Sequence, residues 1–427
     1  MHLRRGFTIA ASLTAGLALA ALVAPPAQSM SAPLTQVVSD DPVDNTPHVV
    51  DGTVYAIAEV GNLVVVGGNF DEVREDGSGT IQNVNNIFAY DPDTGEVDPG
   101  FKPNLDNTVD TVAAAPSGNA VIVGGYFGKV NGANWRGLAM LSLADGSRVQ
   151  SFVGKTNAAV HKVLVRGSRL FVGGRFDSIN GVDRTGLAVL NSTTGALDTS
   201  FTIEIAESRK PGIQPKPLVE EMDATKNGKR LIIVGNFLKV GGISHQQVAM
   251  INPANNAVLK FNSPRFNSLC GSSLAHFFSD VEIDPTGTYF ALVSRGGYSQ
   301  NDLCDTVTRW EMTPKKAKAQ PTWINWTGGD TLWSVAVTPA AIYMGGHQRW
   351  LDNFGCNNEA CPGAVEREGI AAVSPVDGSV LPWNPGRSRG VGAQELVATL
   401  RGLYVGSDTE RLGGETHGRI GMFPSQG

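Results

Sequence analysis

The sequence is poor in charge. Asp, Glu, Lys and Arg make up 17% of its 427 residues, and 34 Lys and Arg face 40 Asp and Glu for a net charge of −6. No basic excess is present to neutralise phosphates, which argues against nucleic acid as a partner. Histidine is scarce at seven residues and no G-x-S-x-G motif occurs, so a Ser-His-Asp hydrolase has little support. Cysteine is limited to four, without a C-x-x-C pair, which argues against a zinc site. Helical spacing of apolar residues is missing, and beyond residue 24 no apolar run is long enough to cross a bilayer. Glycine is plentiful, at 51, but without a G-X-Y period, which excludes collagen. With 41% apolar residues a packed core is within reach, and the scattered glycines mark turns between many short strands.

Residues 1–29 read as a secretory signal peptide. Arg4 and Arg5 precede an apolar run from Phe7 to Ala24, Pro25 and Pro26 stop it, and Ala27-Gln28-Ser29 offers small residues for cleavage. The proline pair favours cleavage over a retained anchor, and the predicted destination is extracellular, with cell-wall association open. Either the Sec or the twin-arginine route fits. In that oxidising setting four cysteines predict two disulfides, Cys356 with Cys361 as a local staple and Cys270 with Cys304 by remainder.

One phrase recurs along the chain. It reads VVVGGNF (64–70), VIVGGYF (121–127), LFVGGRF (170–176) and LIIVGNF (231–237), then in weaker form YFALVSR (289–295), IYMGGHQ (342–348) and LYVGSDT (403–409). Starts fall roughly 50 to 60 residues apart, a blade-sized period rather than a solenoid one. Around each phrase the order is an alternating strand, a short turn, the glycine-ended strand, a polar loop, a third strand and a Gly/Asp turn into a fourth. A lone sheet with two apolar faces cannot hide them, whereas sheets packed face to face in a ring can. The prediction is an all-β, seven-bladed β-propeller of four-stranded antiparallel blades, one domain over residues 30–427. The last repeat has no fourth strand, so residues 34–50 are expected to supply it and close the final blade with 393–427.

The repeat resembles the bacterial delta-60 β-propeller repeat. The shared pattern is VGGxF, then xxVNG (Val130-Asn131-Gly132, Ile179-Asn180-Gly181), Arg136 or Arg184, GLAxL (Gly137 to Leu141, Gly186 to Leu190) and a TG or DG turn. The match covers nearly the whole mature chain and is weakest in the fifth repeat. Kelch spacing of Tyr and Trp is absent, as is any WD dipeptide. The resemblance implies an exported, actinobacterial-type propeller and carries no catalytic residues with it.

Two columns of the repeat hold the site candidates. The residue after the double glycine reads Asn69, Tyr126, Arg175, Asn236, Arg295, His347, Asp408, and varies where a structural column would be uniform. The start of each inner strand reads Tyr55, Asp110, His161, Glu220, Ser279, Trp333, Gln394, followed by a second row that includes Asp280 and Glu395. A long loop, 347–368, adds Arg349 and Trp350. The chosen binding residues are Tyr126, Arg175, Asp280, Arg295, Trp333, His347, Arg349, Trp350, Glu395 and Asp408. No cofactor is expected, although channel carboxylates could ring a Ca²⁺ ion. The favoured function is a monomeric, exported, non-catalytic propeller that binds a cell-envelope glycan or a protein partner through one loop face. The alternative is a glycosidase or polysaccharide lyase with paired carboxylates, Asp280 with Glu395 or Asp110 with Glu220, at the channel mouth.

Overall fold

A computed structural model describes residues 34–426, apart from 268, 269, 272, 298–301 and 314–317; the signal peptide expected at 1–29 lies outside the described residues. Among the described residues there is no α-helix, and a single 3-10 turn spans Pro264–Asn267. Each of the seven glycine phrases forms the second strand of an antiparallel sheet. The first strands, called inner strands below, are Val54–Val60, Val109–Ala114, Val160–Arg166, Val219–Ala224, Phe278–Ile283, Leu332–Val337 and Ala393–Ala398. Fourth strands are fully formed in the fourth and fifth sheets, at Ala257–Val258 and Trp323–Trp326. In the first, second, third and sixth sheets the fourth strand shrinks to a single bridge, as between Tyr90 and Val97.

The sheets are held by their faces, and among the described residues no hydrogen-bonded sheet closes on itself. Seven apolar clusters each bridge two sheets. Val65 and Val123 meet in one cluster, Ile122 and Val172 in the next, and Phe171 and Ile233 in the third. The series continues through Phe290 with Val234, Val293 with Met344, and Tyr343 with Val405. In the last cluster Val64 and Val66 of the first sheet meet Tyr404, Ile420 and Met422 of the seventh.

The double glycine is explained by two close approaches. A Cβ on Gly67 would sit 2.6 Å from Val109 Cγ1 of the next inner strand, and one on Gly68 would sit 2.1 Å from the Thr53 carbonyl oxygen. Gly406 meets Val54 of the first sheet in the same way, at 2.7 Å. Gly406→Ala is therefore expected to cost about 1–3 kcal/mol, the usual penalty for overpacking, and to match Gly124→Ala, whose Cβ would lie 2.7 Å from Val160 Cγ1. Denaturant unfolding of the two variants checks this; a neutral Gly406→Ala beside a damaging Gly124→Ala would contradict it.

The VNG phrase is a loop hairpin tip. Asn131 and Gly132 have φ of 49° and 80°, as a two-residue turn with both central residues left-handed requires. Asn131 also accepts from the Asn104 amide at 2.7 Å and donates to the Gly146 carbonyl at 3.0 Å, tying the loop to its neighbours.

The segment expected to close the last sheet behaves differently from a regular strand. Ser39 and Val43 donate backbone hydrogen bonds to Pro424 and Met422 at 3.0 and 2.9 Å, so the chain does run beside strand Ile420–Pro424. Between those bonds it is irregular, and Pro42, which has no N–H to donate, interrupts any ladder there. Its only strand, His48–Val49, pairs with Glu72–Arg74 of the first loop excursion. Leu34 and Val38 are buried with Leu396 and Phe423, and the Trp383 indole N–H donates to Ser39 O at 2.8 Å. Both expected disulfides are present, Cys270–Cys304 and Cys356–Cys361, with Cα atoms 5.4 and 5.6 Å apart.

Candidate functional site

Every inner strand starts with the same irregularity. The pairing with the second strand skips one residue, at Tyr55, Asp110, His161, Glu220, Ser279, Trp333 and Gln394. A bulge turns an extra side chain out of the ladder, and here all seven line one cavity of about 330 Å³. Thr108, Asn69, Tyr126, Glu221 and Glu395 complete the wall. We call this cavity the mouth. A second, smaller cavity of about 120 Å³, the bore, lies deeper along the inner strands and is lined by Lys162, Arg166, Asp223, Asp280, Glu282 and Glu395 among apolar neighbours.

Along one arc of the mouth the polar groups run in a chain of contacts, with His276 Nδ1 and Arg295 Nε left buried without a hydrogen-bond partner. The Tyr126 hydroxyl lies 3.3 Å from His161 Nε2, and His161 Nδ1 lies 2.8 Å from Glu220 Oε2. Glu220 Oε1 is 3.6 Å from His276 Nε2, and Arg295 Nη2 lies 2.9 Å from the same nitrogen. The Arg295 guanidinium sits 5.0 Å from the centre of the Trp333 ring. Burial alone would raise the Glu220 pKa, but His161 and His276 outweigh it and hold the carboxyl well below its ordinary range. Burial likewise pulls His161 down, and Glu220 followed by Asp110 reverses this to a raised pKa. Asp110 has no such support. Burial pushes it up to about 7, with His161 and Arg175 only partly offsetting.

In the bore, carboxylates answer a backbone need. Inner strands are edge strands, and their outward N–H groups require acceptors. Asp223 accepts from Ile283 N of the next sheet at 2.8 Å, Asp280 from Val335 N at 2.8 Å and Glu282 from Val337 N at 2.9 Å. Asp280 also takes the amide of Val281 at 2.7 Å, so both its oxygens are committed. Lys162 pairs with Glu221 at 2.9 Å, and Arg166 with Asp223 at 2.8 Å. One ammonium cannot keep three neighbouring carboxyls ionised, and burial raises Glu395 to about 7.

The column after the double glycine proves to be two sets. In Asn69, Asn236, His347 and Asp408 the side chain accepts the amide of the residue just before its own inner strand, from Thr53, Leu218, Thr331 and Gly392. An amide oxygen, an imidazole nitrogen and a carboxylate do this equally well, so a structural column varied in residue type. Tyr126, Arg175 and Arg295 depart from that pattern. Tyr126 and Arg175 are exposed, and Arg295 enters the network at the mouth.

The long loop is tied to the segments that lead into the sixth and seventh inner strands rather than to the mouth. Arg349 grips buried Asp330 at 2.9 and 3.0 Å and stacks over Trp350, while Arg389 reaches the same carboxylate at 3.3 Å. Of the ten chosen residues, the structure brings Tyr126, Arg295, Trp333 and Glu395 to the mouth and its network, and Arg175 close enough to act on its charges. Asp280 belongs to the bore, and His347, Arg349, Trp350 and Asp408 hold loops. His276 was missed because it falls two places before its strand and outside both columns. Lys162, Asp223 and Glu282 were signalled by the alternation in VHKV, VEEMD and FSDVEI. Among the described residues, no three His, Cys, Asp or Glu side chains gather as a metal-holding group.

No family model matches the chain and no curated protein matches it, so the likeness to the delta-60 repeat rests on the sequence phrases alone. Among solved structures, the β-propeller domain of Cps50 (Swd1) from Myceliophteria thermophila superposes with a TM-score of 0.51 at 10% identity, over 88% of this chain and 97% of that one. The computationally designed protein Ika8 gives 0.49 at 10% identity, covering 91% and 99%, and the WD40 β-propeller domain of Doa1 gives 0.44 at 10%, covering 90% and 97%. Repeated antiparallel sheets, packed by their faces and superposable on the Cps50 domain, make this chain an all-β protein of the β-propeller fold.

Proposed function

We propose that the chain is a closed, seven-bladed propeller from an exported protein, and that its mouth binds a cell-envelope glycan or a protein partner without turning it over. Seven face-to-face clusters, the last joining the first sheet to the seventh, support the closed ring. Two disulfides suit an oxidising location. The observation that carries the binding reading is the convergence of the seven bulged side chains on one polar cavity, with Tyr55, Tyr126 and Trp333 among its walls. Aromatic faces beside hydrogen-bonding groups are the usual means of holding sugars or side chains.

Catalysis fits less well. Asp280 has both oxygens on backbone amides, and Glu220 is held by two imidazoles, so neither stands free as a nucleophile. One contrast favours the glycosidase or lyase reading: burial pushes the Asp110 carboxyl up to about 7 while His161 and His276 hold Glu220 low, the split an acid/base pair needs. A glycan-array and pull-down screen of the mature chain, followed by product analysis on every hit, separates the two. Capture without cleavage supports binding, and soluble fragments support the enzyme. Tyr126→Ala and Trp333→Ala are each expected to weaken any captured ligand about tenfold, or about 1.4 kcal/mol, with the fold retained by circular dichroism; unchanged affinity would move the site elsewhere.

A further inference from the structure

The mouth is asymmetric. From the second to the sixth sheet its groups form the chain of contacts Tyr126–His161–Glu220–His276–Arg295–Trp333. Across the seventh, first and second sheets the wall includes Glu395, Tyr55 and Asp110, beside Gln394, Asn69 and Thr108. Asp110 and Glu395 take part in none of the hydrogen bonds or ion pairs of the mouth described above, and Tyr55 presents an aromatic face between them in ring order. A further acceptor is unused: Ser279 lines the same cavity, is only 8% exposed, and its Oγ is buried with no hydrogen-bond partner.

Charge points the same way. Seven acidic side chains (Asp110, Glu220, Glu221, Asp223, Asp280, Glu282, Glu395) line the mouth and bore, against Lys162, Arg166 and the imidazole of His161, with Arg175 and Arg295 beside the mouth; burial leaves all of the seven except Glu220 shifted towards the protonated form. A cation arriving beside such carboxyls favours their ionised form, so acid groups that repel one another when ionised gain from an opposite charge between them. The carboxylates are spaced around the wall rather than gathered, with no metal-holding trio among the described residues. That spacing suits a diffuse cation with several N–H donors better than a compact metal ion, which wants many oxygens at one point. An aromatic face adds cation–π attraction for an ammonium group.

Resting on the reading of the mouth as the binding site, we infer that it takes a primary ammonium group, carried by an amino sugar or by a lysine side chain, held between Asp110 and Tyr55 with Glu395 below. The ammonium donates to the Asp110 carboxylate, and the mouth supplies unused acceptors for the hydroxyls or amide beside it. Asp110 is faced by His161, Glu220, Arg175 and Tyr126. Its ionisation near neutral pH makes capture stronger at pH 8 than at pH 6.

The test uses the mature chain and four probes followed by NMR or calorimetry: Nα-acetyl-lysine, its Nε-acetylated form, glucosamine and glucose. The expected result is binding by the two amines, at least tenfold weaker binding by their neutral counterparts, and at least tenfold loss in Asp110→Asn for both amines. Glu395→Gln, which is remote from the ring contacts, is expected to lose several-fold and guards against a misfolded first variant. The ratio of the two amines tells a peptide source from a sugar source. Equal binding of charged and neutral probes, or amine binding untouched in both variants, overturns the proposal, as does calcium binding that displaces the amines with equal dependence on Asp110 and Glu395. If Tyr126→Ala abolishes capture of a macromolecular ligand while no amine binds, the mouth reading stands and this inference falls. If amines bind at Asp110 and Tyr126→Ala leaves capture intact, the failure lies with the mouth reading instead.

Discussion

Stability is expected to peak near pH 5 and to fall by about 3 kcal/mol or more by pH 8, lowering the melting temperature by roughly 4 °C. The signs come from groups on opposite sides of one balance. Asp110, Glu395 and Asp305 are raised to about 7, chiefly by burial. The folded chain therefore binds their protons more tightly than the unfolded chain, and a penalty accumulates as pH climbs from the ordinary carboxyl range to about 7. Each pKa unit corresponds to 1.36 kcal/mol, which sets a ceiling of about 4 kcal/mol for each group. His161 acts in the same direction: its pKa is raised, so its stabilisation is present below its unfolded value and lost as pH rises through the folded one. Glu220 works at the other end. Its carboxyl is held low, and its contribution disappears only as pH falls below the ordinary range, which sets the acid side of the peak. Scanning calorimetry across pH 4–9 checks the profile. The double variant Asp110→Asn, Glu395→Gln should remove more than half of the alkaline decline, and a curve that stays flat or rises towards pH 8 would refute the assignment.

Glu220→Ala is expected to cost about 3–5 kcal/mol, the usual consequence of removing one partner from a buried charged network. The carboxylate lies between His161 at 2.8 Å and His276 at 3.6 Å. Both rings are less than a tenth exposed, so water cannot replace it. The same change takes away the largest influence raising the His161 pKa, leaving burial to pull it below the ordinary value. Denaturant titration reads the first effect and NMR titration of the His161 ring the second. Glu220→Gln, which keeps a hydrogen bond to His161 and loses the charge, should recover part of the stability but not the raised pKa. A His161 titration that is the same in all three proteins would show that Glu220 is not its partner.

The architecture was legible because the glycine phrase is a packing requirement. Gly67, Gly124, Gly173, Gly345 and Gly406 each lie where a Cβ would meet the next inner strand within 2.8 Å, so a repeat in sequence reports a repeat in contacts. The fifth unit loses the phrase at Ser294 and was correspondingly hard to read, although its sheet has four full strands. Prolines in the N-terminal segment hid how it meets the last sheet, since two backbone bonds and the burial of Leu34 and Val38 do the work expected of a strand. The bulge column was legible at the mouth because its polarity departs from the apolar alternation of the strand. The column after the glycines misled. Asn69, Asn236, His347 and Asp408 differ chemically yet all serve as acceptors for one amide, and only three-dimensional neighbours reveal that equivalence. Asp280 was drawn to a ligand for a similar reason, when the unpaired amides of an edge strand claim it first.

The most direct measurement is hydroxyl-radical footprinting of the mature protein with and without whatever the binding screen captures. Tyr126, which is 42% exposed, and Trp333 report on the mouth, while Phe354, 44% exposed, reports on the disulfide-bearing loop. Protection concentrated on Tyr126, Trp333 and Tyr55, with Phe354 and Trp350 unchanged, is the outcome the account predicts. Protection of the loop aromatics with the mouth left reactive would contradict it.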